Sequence, residues 1–421
     1  MASVADISIS VFVGANQQLT LELTSPRAGS LSLPLQLTVL QLEELRRTLG
    51  LGLQDLVARL AQNGRVTKAP AEAAQAIGTL YAVGAELGFG IFGRLLPDAQ
   101  AYFGAAWKGW ARAGEQSYVA PHIELVGSLG LTLPLEFVPL FNMSEPVIRD
   151  VADLLPTAAR FPIFSTIVSR ATAHRAAAGS PDVIENGSAL LVRLFLHAGL
   201  LGAGEEQHFF ESAPGTALRG PWPDRDLPPP DFVRQLANRL KQASDPGDPS
   251  YAGLADHIQH FMCHCDTEKS ASRDYTMTLA HRAKLLGIFS TVREQSATLA
   301  ELHARLAAPA TVPELGPLIF LNACGSSKIT PEGVASFPGL FFELGSRGVI
   351  GTEIAVPDYA AAEFARNFYT SFLEGRTLGE AMYEARIQLL RDRFNLVGAL
   401  YSAHANPDLR LRSPPGRLKV A

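Results

Sequence analysis

A short apolar segment between chain-breaking residues, PLIFLNAC at 317–324, constrains most strongly what this chain can fold into. It lacks the polar–apolar alternation of a half-exposed strand, and such a run is typical of a strand buried on both faces. The segments IQHFMCHC at 258–265 and GVIGTEIAV at 348–356 are also predicted strands. Because helical patterns lie between and after these strands, we predict an α/β fold with helices on both faces of a mostly parallel sheet.

Three helices are predicted in this half of the chain. The first lies around 293–307, and the other two lie near 359–374 and 377–393. Thr377 and Glu380 form a T-x-x-E capping box, which marks the start of the last helix.

The first 120 residues have a different pattern, which predicts a β-plus-helical N-terminal region. A β-hairpin or meander opens the chain, and from Leu40 to about Arg112 the apolar residues follow a helical spacing. A second pair of strands and a buried strand are predicted after residue 120. The strands predicted in these parts of the chain are 7–13, 18–23, 31–38, 122–128, 131–138 and 188–196.

Two stretches rich in proline and glycine, 212–231 and 243–250, are predicted to be exposed loops. Arg219 lies in the first of them. Proteolytic nicking concentrates in exposed loops of this composition, so Arg219 is a candidate self-cleavage site. The alternative is that the loop is only a connector.

Composition argues against several classes of function. Of 421 residues, 47% are apolar and 18% are charged, as in globular proteins. A net charge of −5 gives no positive footprint for phosphate backbones, so no direct nucleic-acid partner is expected. The apolar runs near Val83–Phe92 and Leu190–Gly204 are short for a membrane span, so no membrane partner is expected. The odd number of cysteines, three, argues against a disulfide framework and favours the cytoplasm.

Two of the predicted strands end in chemically capable side chains, His264 and Cys324. The carboxyl ends of parallel strands meet at one edge of a sheet, where functional groups collect. A cysteine beside an imidazole is suited to acyl transfer, because the base assists thiol deprotonation and later protonates the leaving amine. The small residues after Cys324 would let backbone N–H groups approach a developing oxyanion.

Four segments, taken in order, resemble the C-terminal half of the CHAT family of caspase-like proteases, relatives of caspases and separase. They are HFMCHC at 260–265, PLIFLNACGSS at 317–327, GSRGVIGTEIAVPD at 345–358 and FYTSFLEGRTLGEAMYEAR at 368–386. NPDLRL at 406–411 resembles the final strand of the family.

The resemblance implies a caspase-like domain over residues 121–421, with a pseudo-caspase part at about 121–245 and a catalytic part at about 246–415. It implies that Cys324 is the nucleophile, that His264 is its partner, and that the backbone N–H groups of Cys324 and Cys265 form the oxyanion hole. The expected function is cysteine endopeptidase activity on a protein substrate, without a cofactor or metal. The family also implies activation by a partner, a ligand or cleavage, in bacterial defence or regulated cell death.

Two other classes of function stay open. Cys263, His264, Cys265 and Cys324 could form a Cys3His zinc site. In a strand, however, residues 263 and 265 point to one face and 264 to the other, which favours core packing for the two cysteines. The other alternative is a caspase-like scaffold that binds partner proteins without cutting them.

Three carboxylates are candidates for recognising a basic substrate residue. Glu353 and Asp358 follow the strand after the nucleophile, and Asp266 follows His264 by two residues. A carboxylate at such a place would pair with Arg or Lys. For Asp358 the sequence favours a helix cap, because a helix is predicted to begin near Tyr359.

Overall fold

The structure, a computed structural model, describes residues 5–14, 17–60, 70–107, 112, 118–127, 133–171, 183–187, 189–244, 255–266, 275–285, 289–306, 316–323 and 336–412. The strands are β1 (Ile7–Val13), β2 (Gln18–Ser25), β3 (Gly29–Thr38), β4 (His122–Val126), β5 (Ile167–Ala171), β6 (Val183–Ile184), β7 (Leu190–Leu196), β8 (Thr216–Trp222), β9 (Ile258–Asp266), β10 (Thr276–Leu285), β11 (Phe289–Thr298), β12 (Leu318–Ala323), β13 (Gly348–Thr352), β14 (Tyr401–Ala405) and β15 (Arg410–Leu411). The α-helices are α1 (Val39–Leu60), α2 (Pro70–Phe92), α3 (Leu96–Ala106), α4 (Leu154–Ala158), α5 (Pro162–Ser165), α6 (Ala203–Ser212), α7 (Pro229–Leu240), α8 (Leu299–Leu306), α9 (Phe337–Glu343), α10 (Asp358–Leu373) and α11 (Leu378–Arg393).

The chain divides into two compact units. The first unit contains Met1–Asp182 and Asn367–Arg410, and the second contains Val183–Arg366 and Leu411–Ala421. The domain limits expected near residues 120 and 245 stay predictions.

A five-stranded sheet in the order β3-β2-β1-β4-β5 forms the first unit's main sheet. β1, β2 and β3 are antiparallel neighbours, which confirms the predicted meander, whereas β4 is parallel to both β1 and β5. Along β1, Ile7, Ile9 and Val11 are buried and alternate with more exposed serines. This alternation places one face of the sheet against a core.

The predicted N-terminal helical section is confirmed as α1, α2 and α3. The helical run Pro70–Ala106 is long and apolar enough to cross a membrane, by length and composition alone. It contains the apolar run near Val83–Phe92, which is short for a span when taken by itself, and the expected absence of a membrane partner stays a prediction. The run buries Ile77, Leu80 and Leu87, as the core helix of a folded unit does.

The second unit contains the parallel strands that the sequence predicts. They lie in the order β8-β7-β9-β12-β13, and each neighbouring pair is parallel. β10 and β11 extend this sheet as an antiparallel ribbon from the distal half of β9. The prediction of an α/β fold with a parallel-rich sheet is confirmed.

Helices pack on both faces of this sheet. On one face, α7, α8 and α9 supply Leu236, Leu302 and Phe341 to a core that includes Phe261. On the other face, Ala203 of α6 packs with Met262 of β9 in a smaller cluster. Successive residues of β9 point to opposite faces, which explains why the strand carries the adjacent apolar residues Phe261 and Met262, one for each face.

Segment 131–138 is not a strand over its described part. Residues Leu135–Phe137 form a 3-10 helix, and Pro134 and Pro139 flank it. A proline has no N–H to donate to a sheet ladder, which prevents strand pairing at these positions. The side chain of Glu136 is buried and forms an ion pair with Arg170 of β5.

Two further segments differ from the sequence-based expectation. The proline-rich stretch 212–231 contains β8 and the start of α7, because a parallel partner, β7, supplies the hydrogen bonds that composition could not indicate. Residues 293–298 belong to β11 rather than to a helix, and the helix begins only at Leu299. Pairing with β10 overrides the helical spacing of the apolar residues there.

The two C-terminal helices are confirmed as α10 and α11. Both hydrogen bonds of the predicted capping box are present, since Thr377 accepts from the N–H of Glu380 and Glu380 accepts from that of Thr377. β14, which follows α11, was not predicted, and β15 covers the end of the segment that resembles the family's final strand.

A pH dependence of stability is expected from His404 in β14. Its side chain is fully buried, and neither ring nitrogen has a hydrogen-bond partner among the described residues. Burial, with a smaller contribution from Arg170, lowers the pKa of His404 to about 3. Below an ordinary histidine pKa of about 6.5, the unfolded chain therefore binds a proton that the folded chain does not, and stability falls as the pH falls.

The expected loss from this group is about 2 kcal/mol between pH 7.5 and pH 5. His404→Phe keeps the ring volume and removes the titration, so its stability should decrease less over this range. Urea unfolding of the parent and the variant at both pH values measures the difference. Parallel decreases in the two proteins would contradict the assignment.

Candidate active site

A small open cleft lies at the carboxyl edge of the parallel strands of the second unit. Its lining includes His264 of β9, Asn322 and Ala323 of β12, and Val356 and Asp358 from the region between β13 and α10. The edge is the place at which an open α/β sheet gathers functional groups. The structure thus brings His264 together with the residue that precedes Cys324.

Strand pairing determines where His264 lies. β9 pairs in parallel with β12 along one edge up to the pair Cys263–Ala323. Along its other edge it pairs with β7 up to Met262 and with β10 from His264 onwards. Cys263 and Cys265 are buried in the apolar core, whereas His264 is half-buried at the cleft. The prediction that the two cysteines pack on the face opposite His264 is confirmed.

A buried polar network lies on the same face of β9. Glu206 of α6 contacts Nε2 of His260 through Oε2, and Nδ2 of Asn322 donates to its Oε1. All three side chains are at least 90% buried. Because buried polar groups are costly when unpaired, this network fixes how β9, β12 and α6 pack beneath the cleft.

A second hydrogen bond fixes the end of β12. The hydroxyl of Thr352, at the end of β13, donates to the carbonyl oxygen of Ala323 at 2.5 Å. Thr352 is fully buried. The peptide group that joins Ala323 to Cys324 is therefore tied to the neighbouring strand.

His197 contacts His264 from the end of β7. Their ring centroids are 4.6 Å apart, and the ring planes meet at 73°. Burial lowers the pKa of His197, the charge of His264 adds to this effect, and Glu294 opposes it. Burial and the charge of His264 therefore favour the neutral form of His197.

The carboxylate of Asp358 lies at the cleft and at the first turn of α10. Its Oδ2 accepts a hydrogen bond from the N–H of Leu201 at 3.0 Å. Gly202 makes this close approach possible, because a Cβ there would lie 2.8 Å from the carbonyl oxygen of Asp358. Asp358 is the first residue of α10 rather than the residue before it, and its carboxylate binds the loop after β7.

The remaining predicted residues lie elsewhere or outside the described part. Cys324 lies outside the described residues, and Asp266 is the last residue of β9, where only the backbone is described. Glu353 is half-buried after β13 and is not among the described residues that line the cleft. Cys265 pairs opposite Met277 in the ribbon, and its oxyanion-hole role stays a prediction.

Arg219 lies in β8 rather than in an exposed loop, so the reason for suspecting self-cleavage there is removed. Its Nη1 is 3.2 Å from Oδ1 of Asp256, and Oδ2 of the same carboxylate is 2.7 Å from Nε of Arg193. Asp256 is buried and precedes β9, so this network lies at the opposite end of the strand from His264.

Three functional neighbours were not predicted from the sequence: Glu206, Asn322 and His197. The one available signal was the segment HAGLLGAGEE at 197–206, in which small residues follow a buried strand directly. Such a glycine-rich turn after a strand permits close backbone packing. Among the residues that the structure describes, no group of three or more His, Cys, Asp or Glu side chains could hold a metal ion.

Comparison with known families decides the relationship of this region. Residues 239–404 match the family model described as the CHAT domain. This part of the chain is similar to CHAT domains. The match includes His264, the strands β9, β12 and β13, and the helices α10 and α11.

Individual relatives are more distant from the whole chain. A probable protease of Vitiosangium sp. (strain GDMCC 1.1324) is 37% identical over 101 residues, which cover 24% of this chain and 13% of that protein. Two structures of the Saccharomyces cerevisiae separase–securin complex are similar over 96% and 97% of this chain and 30% of the matched chain in each. Their sequence identity is 11%, with TM-scores of 0.41 and 0.44. The chain therefore spans a minor part of each relative.

The buried network predicts a strong effect of Glu206 on stability. Glu206→Ala leaves His260 and Asn322 without their shared acceptor and should cost about 3–5 kcal/mol. Glu205→Ala is a matched control on the same helix, because Glu205 is exposed, and it should change stability by less than about 0.5 kcal/mol. Urea unfolding of both variants measures this contrast, and equal effects would show that the network contributes no special stability.

Proposed function

We propose that this chain is a cysteine endopeptidase in which Cys324 is the nucleophile and His264 is its acid/base partner. One observation carries the proposal: His264 and Ala323 line the same cleft, and Cys324 is the next residue after Ala323. The CHAT domain and the probable protease among the relatives support peptide hydrolysis as the reaction class.

In the proposed reaction, the thiolate sulfur of Cys324 bonds to the carbonyl carbon of the scissile peptide. The C–N bond then breaks, and His264 transfers a proton to the leaving amine. Water, deprotonated by His264, attacks the resulting thioester and releases the acid product and the thiol. Backbone N–H groups at Cys324 and Cys265 are proposed to stabilise the oxyanion. All groups in this sequence belong to the chain, so it requires no cofactor.

Regulation and biological role are part of the same proposal. A protease of this type needs restraint, and we infer that a partner protein, a ligand or a cleavage event activates it. Its partners would then be a protein substrate and an activator. A role in bacterial defence or cell death, in the cytoplasm, is proposed from the family resemblance.

The proposed mechanism predicts that Cys324→Ala and His264→Ala each abolish cleavage. The purified variants are incubated with a peptide library and with candidate neighbouring proteins, and mass spectrometry follows the products. Cys263→Ala is the matched control, because it removes a second thiol beside the cleft whose side chain packs in the apolar core, and it should retain cleavage. Cleavage that persists in Cys324→Ala would contradict the assigned nucleophile.

A silent parent protein requires a second readout. An electrophilic peptide probe that labels Cys324 in the parent, but not in His264→Ala, would support a restrained protease. Equal, slow labelling in both would favour the alternative function, a scaffold that binds partner proteins without cutting them.

Asp358 is proposed to select a basic residue before the cut. It lines the cleft with His264 and keeps one carboxylate oxygen on the N–H of Leu201. Asp358→Asn retains an oxygen for that N–H and removes the charge, so preference for Arg and Lys over neutral residues should fall by about 10-fold or more. Glu353→Gln is the comparison variant. A loss of preference in Glu353→Gln alone would transfer the role to Glu353.

A further inference from the structure

We propose that His197 is a positioning residue for His264, which it supports from outside the cleft. The inference rests on the proposed function, because it treats His264 as the acid/base group. The two rings meet edge to face at a centroid distance of 4.6 Å, an arrangement that aromatic pairs favour. His264 lines the cleft and His197 is not among its described lining residues, so the contact restrains His264 without occupying substrate space.

The backbone of His197 is held by both neighbouring strands. Its N–H donates to the carbonyl oxygen of Met262 in β9 at 2.7 Å. The next N–H, that of Ala198, donates to Ala280 of β10 at 2.9 Å. The backbone that follows β7 is therefore hydrogen-bonded to both β9 and β10, which pair with each other at His264. These bonds fix the backbone position from which the His197 ring extends.

The ring of His197 is held by two polar contacts. Nδ1 accepts a hydrogen bond from the N–H of Gly199 at 3.2 Å. In the neutral ring, the proton therefore lies on Nε2, which is 3.3 Å from Oε1 of Glu294. The two contacts select one tautomer and one ring orientation, as second groups commonly do for a functional histidine.

The lack of a side chain at Gly199 leaves room for the ring of His197. A Cβ at position 199 would lie 2.9 Å from Cε1 and 3.2 Å from Nδ1 of His197. Any side chain there would push the ring from its present place. The glycine, the backbone anchors and the two polar contacts specify one ring position, although His197 has no place in the proposed bond-making steps.

Charge supports the same role. His197 is 3% exposed, and its pKa is lowered by burial and by His264. Glu294 on β11 acts in the opposite direction, but its side chain is 56% exposed and solvent screens it. A neutral His197 can support the ring of His264 without placing a like charge beside it.

The test uses full-length His197→Ala and His197→Phe. Alanine removes the ring contact, whereas phenylalanine retains a ring and removes both polar contacts. His281→Phe is the matched control, because His281 is also buried on a strand of this sheet and lies 3.8 Å from a carboxylate, Asp226. Circular dichroism confirms that each variant is folded before further measurements.

Two readouts follow the position of His264. The first is kcat and KM on the best peptide found in the cleavage experiment, and the second is the rate at which diethyl pyrocarbonate modifies His264, measured by mass spectrometry. In His197→Ala, kcat should fall by about 10- to 100-fold with little change in KM, because a catalytic group is misplaced. Modification of His264 should become about 2- to 10-fold faster. His197→Phe should restore most of both values, and His281→Phe should leave both unchanged.

The inference is overturned if His197→Ala leaves both readouts unchanged, or if His197→Phe is as defective as His197→Ala in both. Its failure is distinct from failure of the proposed function, which cleavage by Cys324→Ala would indicate. The modification rate requires no protease activity. It therefore decides whether His197 restrains the ring of His264 even if the parent cuts none of the peptides.

Discussion

Hydrogen bonding of β9 along both of its edges is the constraint on which the second unit depends. One edge pairs with β12, and the other pairs first with β7 and then with β10. A strand that is bonded on both edges cannot slip by one residue without exchanging its faces. Such a slip would bury His264 in the apolar core and turn Cys263 and Cys265 towards the cleft. The large apolar core behind β9 therefore also determines which side chain reaches the cleft.

The face of β9 that carries His264 is partly polar, because the buried side chain of His260 lies on it beside the apolar Met262. Glu206, His260 and Asn322 form a buried network there, and His197 and Thr352 add contacts at the strand ends. Buried polar groups contribute little net stability, but they strongly disfavour arrangements that leave them unpaired. We interpret the network as a device that holds the ends of β9 and β12 in one arrangement, beside the position at which the proposed chemistry takes place.

Segments whose burial is complete were the easiest to predict from the sequence. β12 was found because a short apolar run between chain-breaking residues is typical of a fully buried strand. The two C-terminal helices were found through helical spacing and the capping box of Thr377. Segments that depend on a distant partner were missed: β8 lies within a proline-rich stretch and exists because β7 pairs with it. The N-terminal part of segment 293–307 has helical spacing but forms a strand because it pairs with β10.

By itself, the sequence determined the α/β class and the alternation of Cys263, His264 and Cys265 between two faces. It also predicts His264 and Cys324 as the reacting pair. Periodicity and residue type are local properties, and they can be read without a fold. Only the tertiary structure decided which groups surround His264. His260 and Glu206 are 54 residues apart, and Leu201 and Asp358 are 157 apart. Contacts between residues so far apart in the sequence arise from strand order and helix packing, so no local sequence pattern predicts them. The surroundings of His264, including His197 as its proposed support, therefore became visible only after the chain was folded.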